Sequence, residues 1–433
     1  MYRLAFPRFL ILAGLLCLSE FLGAQSLNTY SPYSRYGIGV LSQPGFTQNR
    51  SMGGVSQPYR SETIINFNNP ASYAQRDSMS FLFDFGLETN TSGFTGYDQY
   101  LNPQTSRNSA GGIHHIAISF PIAKRIGLAA GITPYSSVGY RLLRFETDPY
   151  ILSTIGRVKY YHTGRGGINQ AFVGMGVSPL KNLSVGFNML YYFGSLDYNN
   201  DIEFPLNYNP YTNGYIRSSF QVSDINFNFG VQYTLVLDKE NNTNITLGGT
   251  YQLGKNIDMT QKWFATLESN LLDTLYPHPD RKSNFELPWS VNAGLAFTYK
   301  DKITIMGEYF TQDWSKTTPF NVNTPMAKME SVRFGVEFTP NRMDLKSYFK
   351  KVNYRAGFFT NKSNLLVSGK QINDFGITFG AGLPLKGKTK VNLSFEIGKR
   401  GTDESYLIKE TFKAFNFSFT FYDYPWFFKR KYN

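Results

Sequence analysis

The chain has only one cysteine among its 433 residues, Cys17, and this residue lies near the N-terminus. Two arginines precede an apolar run from Phe9 to Leu18, and the Gly23-Ala24 pair offers a small-residue cleavage site, which predicts a secretory signal peptide over residues 1–24. A lipoprotein signal would instead need a small residue just before the cysteine. Removal of the signal would leave an exported protein without thiols, which excludes disulfides, thiolate metal sites and cysteine nucleophiles together.

Long apolar runs are also missing after the predicted signal peptide. No later stretch approaches the roughly 20 apolar residues that a membrane-spanning helix requires. The mean hydropathy is -0.30, although 17% of the residues are aromatic. In strands where apolar and polar residues alternate, their hydropathies cancel in such an average, so a membrane barrel can have a low mean hydropathy. No Pro/Ser-rich linker divides the chain, so one large barrel is a simpler interpretation than two or three soluble domains.

Histidine is scarce as well, with four residues in the chain. His114 and His115 are adjacent, so on a strand they are expected to point to opposite faces and not to share a metal. His162 and His278 fall in predicted loops. Barrel hydrolases need a histidine beside a serine or aspartate at the outer rim, and no such grouping is evident. We therefore predict no enzymatic activity, no metal and no cofactor.

Strand alternation is what the chain has in abundance. Phe415, Phe417, Phe419 and Phe421 alternate with mostly small or polar residues, which is typical of a wall between lipid and a polar interior. A sandwich strand is the alternative for this segment alone, but the pattern recurs along almost the whole chain. We predict an all-β fold, a transmembrane antiparallel β-barrel of about 14 strands over residues 79–433, with twelve or sixteen strands as alternatives. The predicted strands lie near 79–90, 112–123, 126–139, 167–178, 182–197, 217–237, 243–257, 287–299, 302–315, 329–340, 351–361, 372–383, 389–400 and 409–422.

The connections between these strands alternate in length. Several are tight, such as Pro121 to Arg125, whereas long polar loops are expected at 91–111, 140–166, 198–216, 258–286, 316–328 and 362–371. Outer-membrane barrels have short periplasmic turns and long outer loops, so both ends of the barrel are predicted on the periplasmic side.

A polar segment, residues 25–78, lies between the predicted signal and the first strand. It is rich in Ser, Asn, Gly, Pro and Tyr and cannot build a core of its own. A disordered periplasmic leader is one interpretation, but a hatch or plug inside the barrel would satisfy more of its backbone groups. Its two notable motifs are a leader motif with Ser31, Pro32, Tyr33, Arg35, Tyr36 and Gly37, and a closing motif with Asn69, Pro70 and Ala71.

The export signal, the polar segment ending in Asn69-Pro70-Ala71 and the fourteen strands together resemble the FadL family of long-chain fatty-acid transporters. The resemblance implies an outer-membrane location and a hatch lodged in the barrel. It also implies an inward kink of the third strand that opens the wall. The candidate for this kink is Pro134 with Tyr135, because proline cannot donate to a sheet ladder. Alternatively, Pro134 marks the upper end of that strand.

A closer resemblance is to a branch of FadL-like barrels from Bacteroidota. It is carried by Ser31 to Gly39, Asn353 to Phe358, Gln371 to Gly382, Gly398 to Thr402 and the terminal stretch from Trp426 to Tyr432. Some barrels of that phylum are thought to be subunits of barrel-assembly or secretion complexes. This resemblance implies an accessory subunit of such a complex, with other outer-membrane proteins or lipoproteins as partners.

Two functions of different classes therefore remain: a structural subunit, and a hatch-gated transporter of hydrophobic compounds such as long-chain fatty acids. A transporter predicts an apolar pocket in the lumen, whereas a subunit predicts a filled lumen and an exposed apolar patch. The basic tail Lys429, Arg430 and Lys431 would present positive charge to an acidic periplasmic partner, or would anchor near lipid headgroups.

The excess of basic residues also bears on partners. The chain has 43 lysines and arginines against 31 acidic residues, a formal net charge of +12. The basic residues are scattered and form no stripe with aromatics, so no nucleic-acid partner is predicted. Lipopolysaccharide and other outer-membrane lipids are the polyanions that such a surface is expected to meet.

Overall fold

Alternating apolar and polar side chains build a closed antiparallel barrel in the computed structural model of the chain. The structure describes residues 29–77, 79–98, 100–205, 211–268, 273–277, 279–317, 325–404 and 407–424. Within these residues fourteen strands follow one another around the wall, and the last strand pairs with the first. The prediction of a 14-stranded all-β barrel is confirmed. The predicted signal peptide and basic tail lie outside the described residues.

The strands are continuous except for two that are interrupted. The seventh strand breaks at Leu253-Gly254, and the eighth consists of three pieces that pair with both halves of the seventh. The strands are β1 (Phe81–Tyr97), β2 (Pro103–Ala123), β3 (Ile126–Phe145), β4 (Lys159–Val177), β5 (Leu183–Glu203), β6 (Gly214–Asp238), β7 (Thr243–Gln252 and Lys255–Leu267), β8 (Asp273–Pro277, Arg281–Leu287 and Ser290–Tyr299), β9 (Ile303–Asp313), β10 (Lys328–Phe338), β11 (Asn353–Val367), β12 (Lys370–Pro384), β13 (Lys390–Arg400) and β14 (Lys409–Asp423).

The helices are short. The α-helices are α1 (Thr47–Arg50) and α2 (Pro149–Thr154), and 3-10 helices span Pro32–Arg35, Pro70–Gln75 and Tyr348–Lys351. In the part of the chain that the structure describes, no helix has the length and apolar character needed to cross a membrane.

The wall separates an apolar outer band from a polar lumen. On β5 the outward residues Val185, Phe187 and Met189 are each about 40% exposed, whereas the intervening Ser184 and Asn188 are fully buried. This alternation is the one that the sequence predicts for a strand with lipid on one side.

The long loops predicted at 91–111, 198–216, 258–286 and 362–371 are wrong. β1 and β2 remain paired to Tyr97 and Pro103, and β5 and β6 remain paired to Ile202 and Gly214. Likewise, β7 and β8 remain paired to Leu267 and Asp273, and β11 and β12 remain paired to Val367 and Lys370. Above the lipid band both faces of a strand meet water, so both carry polar residues while the backbone ladder continues. In the predicted loop 140–166, the connection between β3 and β4 contains α2, whose N-cap Asp148 accepts from the backbone of Tyr150.

Both ends of the barrel lie at one rim. Phe81 at the start of β1 pairs with Asp423 at the end of β14, and the tight turns at 124–125, 239–242 and 300–302 close neighbouring strands at the same rim. We assign this rim to the periplasm, since short turns are typical of that side. Residues 339–352 form a longer connection there, between β10 and β11.

Candidate functional site in the barrel lumen

Residues 29–77, hereafter the N-terminal segment, lie against the inner face of the wall. Phe46, Met52, Val55, Ile65 and Tyr73 of this segment are fully buried. Such burial requires partners for the backbone groups of a stretch that has little secondary structure, and the wall provides them. This placement supports the predicted plug.

Inward-facing glycines let the backbone of the N-terminal segment approach the wall. A Cβ atom on Gly176 would lie 2.5 Å from the carbonyl oxygen of Pro70, and one on Gly335 would lie 2.6 Å from that of Met52. Any larger residue at these positions would collide with main-chain atoms. The glycines of the wall that face main-chain atoms of the segment in this way are Gly127, Gly139, Gly176, Gly186, Gly248, Gly335 and Gly357. Three more, Gly230, Gly294 and Gly380, face its side-chain atoms.

Several of these glycines form a continuous band. Gly127, Gly176, Gly186 and Gly230 are successive cross-strand partners on β3, β4, β5 and β6. Gly335 and Gly357 are likewise paired across β10 and β11. The sequence contains a signal for this contact, because glycine recurs at inward positions of neighbouring strands. We missed this signal when reasoning from the sequence.

The closing motif forms a fixed turn against this band. The Asn69 side chain accepts from the backbone of Ala71 at 3.2 Å and donates to the carbonyl oxygens of Gln57 at 2.9 Å and Val231 at 3.3 Å. It caps the 3-10 helix that begins at Pro70. The motif thus orders the N-terminal segment and attaches it to β6.

A buried carboxylate holds the middle of the N-terminal segment. One oxygen of Glu308 on β9 accepts the backbone N–H groups of Ser56 at 2.7 Å and Gln57 at 2.8 Å. The other oxygen accepts from the Arg333 guanidinium at 2.9 Å. Hydrogen bonds to a charged acceptor are stronger than neutral ones, so this residue is a main attachment point.

A second attachment is a buried cation. The Arg50 side chain is 4% exposed and lies 2.8 Å from Glu88 and 3.6 Å from Glu396. Burial by itself would lower the pKa of Arg50, but the two carboxylates outweigh it and raise that pKa above its ordinary value. Arg50 therefore remains charged and paired inside the barrel.

His114 and His115 both lie in the lumen, contrary to our expectation of opposite faces. The register of β1 and β2 shifts by one residue at His114, which makes a β-bulge that turns both rings inward. Their Nδ1 atoms are 2.8 Å apart, and the Phe46 ring stacks on His115 at 3.7 Å. The described residues contain no group of three or more His, Cys, Asp or Glu side chains that could hold a metal ion.

The wall is incomplete between β2 and β3. Their pairing runs only from Ala123 and Ile126 at the periplasmic rim up to Ile116 and Ile132. Above this point β3 stays paired with β4, with a bulge at Tyr135 directly after Pro134. The predicted kink residues thus lie where β3 leaves β2, and we call the space between the two strands the β2–β3 gap.

The N-terminal segment occupies the freed edge of β3. Val40 and Leu41 pair with Ser137 and Ser136 as an added two-residue strand. The leader motif extends this contact, since the backbone N–H of Ser31 donates to the Gly139 carbonyl at 2.8 Å. Backbone groups that β2 leaves unpaired on β3 between Tyr135 and Gly139 therefore find partners within the N-terminal segment.

The other residues of the leader motif fix its shape. Pro32 begins a 3-10 helix, and the buried Tyr33 hydroxyl donates to the Ile408 carbonyl at 2.5 Å. Burial raises the pKa of Tyr33 to about 12. Arg35 lies over the Tyr36 ring at 4.6 Å. Gly37 has a φ of 55°, a left-handed conformation that glycine adopts without strain.

Cavities beside the N-terminal segment are small. Three within the lumen measure about 80, 150 and 70 Å³, and their linings include the charged groups of Arg50, Arg333 and Arg400. A larger cavity of about 430 Å³ lies at the outer end of the β2–β3 gap, between the N-terminal segment and residues such as Tyr97 and Leu143.

The basic turn between β12 and β13 is engaged within the chain. The Lys388 amine lies 2.5 Å from Asp77 and 3.1 Å from Glu62, so it ties the end of the N-terminal segment to the periplasmic rim. Lys390 donates to Asn353 at 3.1 Å. Both lysines therefore contact other parts of the chain.

Comparison with known proteins gives one family and a set of solved structures. The family model described as BamG matches residues 7–433. The CymD monoaromatic hydrocarbon channel is 12% identical with a TM-score of 0.57, covering 89% of this chain and 98% of that chain. A FadL homologue of Pseudomonas aeruginosa is 12% identical with a TM-score of 0.58, covering 89% and 99%. The Pseudomonas putida toluene transporter TodX is 15% identical with a TM-score of 0.58, covering 89% and 99%.

At these identities the solved structures show a shared fold, that of the FadL-like outer-membrane barrels. No curated protein sequence matches the chain. The comparisons do not support the finer assignment to a Bacteroidota branch, which stays a prediction.

Proposed function

The chain belongs to the BamG family, and we propose that this FadL-like outer-membrane barrel acts as an accessory subunit of a larger outer-membrane complex that assembles or secretes proteins. The observation that carries the proposal is the occupied lumen. Pockets for drug-sized ligands measure about 300 to 1,000 Å³, whereas each of these three lumen cavities is smaller than 300 Å³ and has at least one arginine in its lining.

The attachments of the N-terminal segment favour a permanent plug. A passage through the lumen would have to separate Arg50 from its two carboxylates and Glu308 from the backbone of Ser56 and Gln57. Leaving one partner of a buried ion pair without the other costs about 3–5 kcal/mol. A subunit needs no such movement, because its outer and periplasmic surfaces do the binding.

A second candidate function, hatch-gated transport of hydrophobic compounds, is favoured by two observations. The solved barrels of the same fold are described as hydrocarbon channels or transporters, not as enzymes. In addition, the cavity of about 430 Å³ adjoins the β2–β3 gap and is lined partly by Tyr97, Tyr140 and Leu143. A hydrophobic molecule would enter there and leave sideways through the wall.

A reversible lock distinguishes the two functions. Val40 and Ser137 are cross-strand partners, so Val40→Cys with Ser137→Cys places two thiols at a separation that suits a disulfide. The chain's own Cys17 lies in the predicted signal peptide. The oxidised double variant would fix the N-terminal segment covalently to β3, and reduction would remove this covalent link.

The test is complementation of cells depleted of the native chain, with folded outer-membrane barrels and uptake of hydrophobic compounds measured in parallel. We expect depletion to lower the amount of folded barrels, and the locked variant to restore it whether oxidised or reduced. Ser137→Cys alone is the control for the substitution itself. Rescue only after reduction, with uptake as the affected quantity, would contradict the subunit proposal and support transport.

A further inference from the structure

The connection from Thr339 to Val352, hereafter the rim loop, exposes unusually apolar side chains at the periplasmic rim. Met343, Leu345 and Phe349 are 86%, 97% and 73% exposed. Lipid-facing residues at the neighbouring strand ends, Phe338 and Tyr354, are 41% exposed. These three apolar side chains of the rim loop are therefore more exposed than the lipid-facing side chains beside them.

The rim loop continues that band. Tyr354 points outward on β11, and its hydroxyl donates to the Phe349 carbonyl at 3.1 Å. Tyr348 meets the Phe349 ring edge-on at 6.2 Å. This aromatic pair thus lies at the outer side of the wall, at the level where amphipathic rings of membrane proteins contact headgroups.

The loop is also basic. Arg342, Lys346, Lys350 and Lys351 surround the apolar residues, with Asp344 as the one carboxylate among residues 339–352. Lys350 pairs with Asp344 at 3.4 Å, and Arg342 lies 3.9 Å from Glu337 of β10. Lys346 and Lys351 form no ion pair with any carboxylate in the described parts of the chain.

Internal hydrogen bonds hold the loop in this shape. The backbone N–H of Asn341 donates to the Lys350 carbonyl at 2.8 Å and closes the base of the loop. The Asp344 carboxylate accepts from the backbone of Lys346 at 2.9 Å and Ser347 at 2.7 Å. The apolar tip is therefore presented by a closed structure, so little ordering would be needed on binding.

We propose that the rim loop binds anionic phospholipids of the periplasmic leaflet, with Leu345 and Phe349 entering the interface and Lys346 and Lys351 contacting phosphate groups. Apolar insertion combined with electrostatic attraction is how amphipathic segments bind membrane surfaces. Lipid is favoured as the occupant because the aromatic pair is continuous with the lipid-facing wall. The proposal does not depend on whether the barrel is a subunit or a transporter.

The experiment uses the full barrel in nanodiscs, with a fluorescent label on Leu345→Cys. Glu240→Cys, an exposed position in the β6–β7 turn at the same rim, is the matched control. Nanodiscs contain phosphatidylcholine alone or with phosphatidylglycerol, and lipids with brominated chains serve as quenchers. We expect at least about threefold stronger quenching at position 345 than at position 240 when phosphatidylglycerol is present.

A charge variant tests the electrostatic part. Lys346→Gln with Lys351→Gln removes the two unpaired cations, and we expect it to abolish the dependence on phosphatidylglycerol. Equal access of both labels to a water-soluble quencher in both lipids would overturn the proposal. Shielding of position 345 only in native membranes, together with a cross-linked protein, would overturn it in favour of a protein partner. Heat-modifiable migration in electrophoresis verifies that each variant is folded.

Discussion

Arg50 of the N-terminal segment forms an ion pair with Glu88 of β1 inside the lumen, with Nη1 2.8 Å from Oε2. The pair joins the N-terminal segment to the first strand of the wall, and Glu396 on β13 lies 3.6 Å from the same guanidinium. The two carboxylates come from strands separated by β14 in the closed barrel. One side chain of the N-terminal segment therefore links the beginning and the end of the barrel.

We expect Arg50→Met to destabilise the folded barrel by about 3–5 kcal/mol, because it leaves two carboxylates in the lumen without their cation. Arg165→Ala is the control, since Arg165 is 67% exposed and its pairing with Asp197 at 3.6 Å contributes at most about 1 kcal/mol. Urea unfolding in detergent micelles measures the free energy of unfolding of both variants. Equal stability of the two variants would contradict a structural role for Arg50.

The glycine band gives a second prediction. Gly335→Ala would bring a Cβ atom to 2.6 Å from the Met52 carbonyl oxygen, so we expect a loss of about 1–3 kcal/mol and displacement of the N-terminal segment. Gly307→Ala is the matched control on the neighbouring strand, because nothing lies within 4 Å of its added Cβ. Limited proteolysis of the N-terminal segment provides the readout. If Gly335→Ala is as protected as Gly307→Ala, the segment does not pack against β10 as described.

The attachment at Asp77 predicts a dependence on pH. Burial acts to raise the pKa of Asp77, but hydrogen bonds from Lys388 and Tyr422 outweigh it and place that pKa below its ordinary value. A lowered carboxylate pKa gives stability that is present above the unfolded value of about 3.9 and is lost as the pH falls through the folded value. Since the pKa of Lys388 is raised, its charge persists throughout the neutral range.

We therefore expect the end of the N-terminal segment to stay attached at neutral pH, to be held less strongly as the pH falls below about 4, and to detach as the pH passes through the lower folded pKa of Asp77. Asp77→Asn should show the same detachment at pH 7, with cleavage near Arg76 as the measurement. Asp98→Asn, in the exposed β1–β2 hairpin at the opposite rim, serves as the control. Attachment that survives in Asp77→Asn would mean that Lys388 is held by Glu62 alone.

How much of this structure the sequence could predict depends on the physics of each element. The barrel follows from alternation, since Phe415 to Phe421 can place every aromatic ring outward only as a strand. The extent of β1 and β2 could not be read from the same rule, because polar residues occupy both faces above the lipid band. His114 and His115 both point inward because the strand register shifts by one residue, and the pattern of side chains in the sequence does not predict this shift.

In the lumen, too, local features can be predicted from the sequence, whereas contacts between distant strands cannot. A polar segment without a core of its own predicts a plug, and the Asn69-Pro70 turn is a local signal that the sequence makes visible. The partners of Arg50 and Ser56 come from strands distant in the chain, so only the closed barrel brings them together. Glycines at inward strand positions were the readable signal of close contact with the wall.

The most direct test of the subunit proposal is gentle detergent extraction of the tagged chain from its native membrane, followed by size analysis and mass spectrometry of the recovered particle. A second outer-membrane barrel with the same tag controls for unspecific capture. The account predicts a particle well above the 49.2 kDa of the chain, with other outer-membrane proteins or lipoproteins in constant proportion. A lone barrel that carries a bound hydrophobic compound would contradict it.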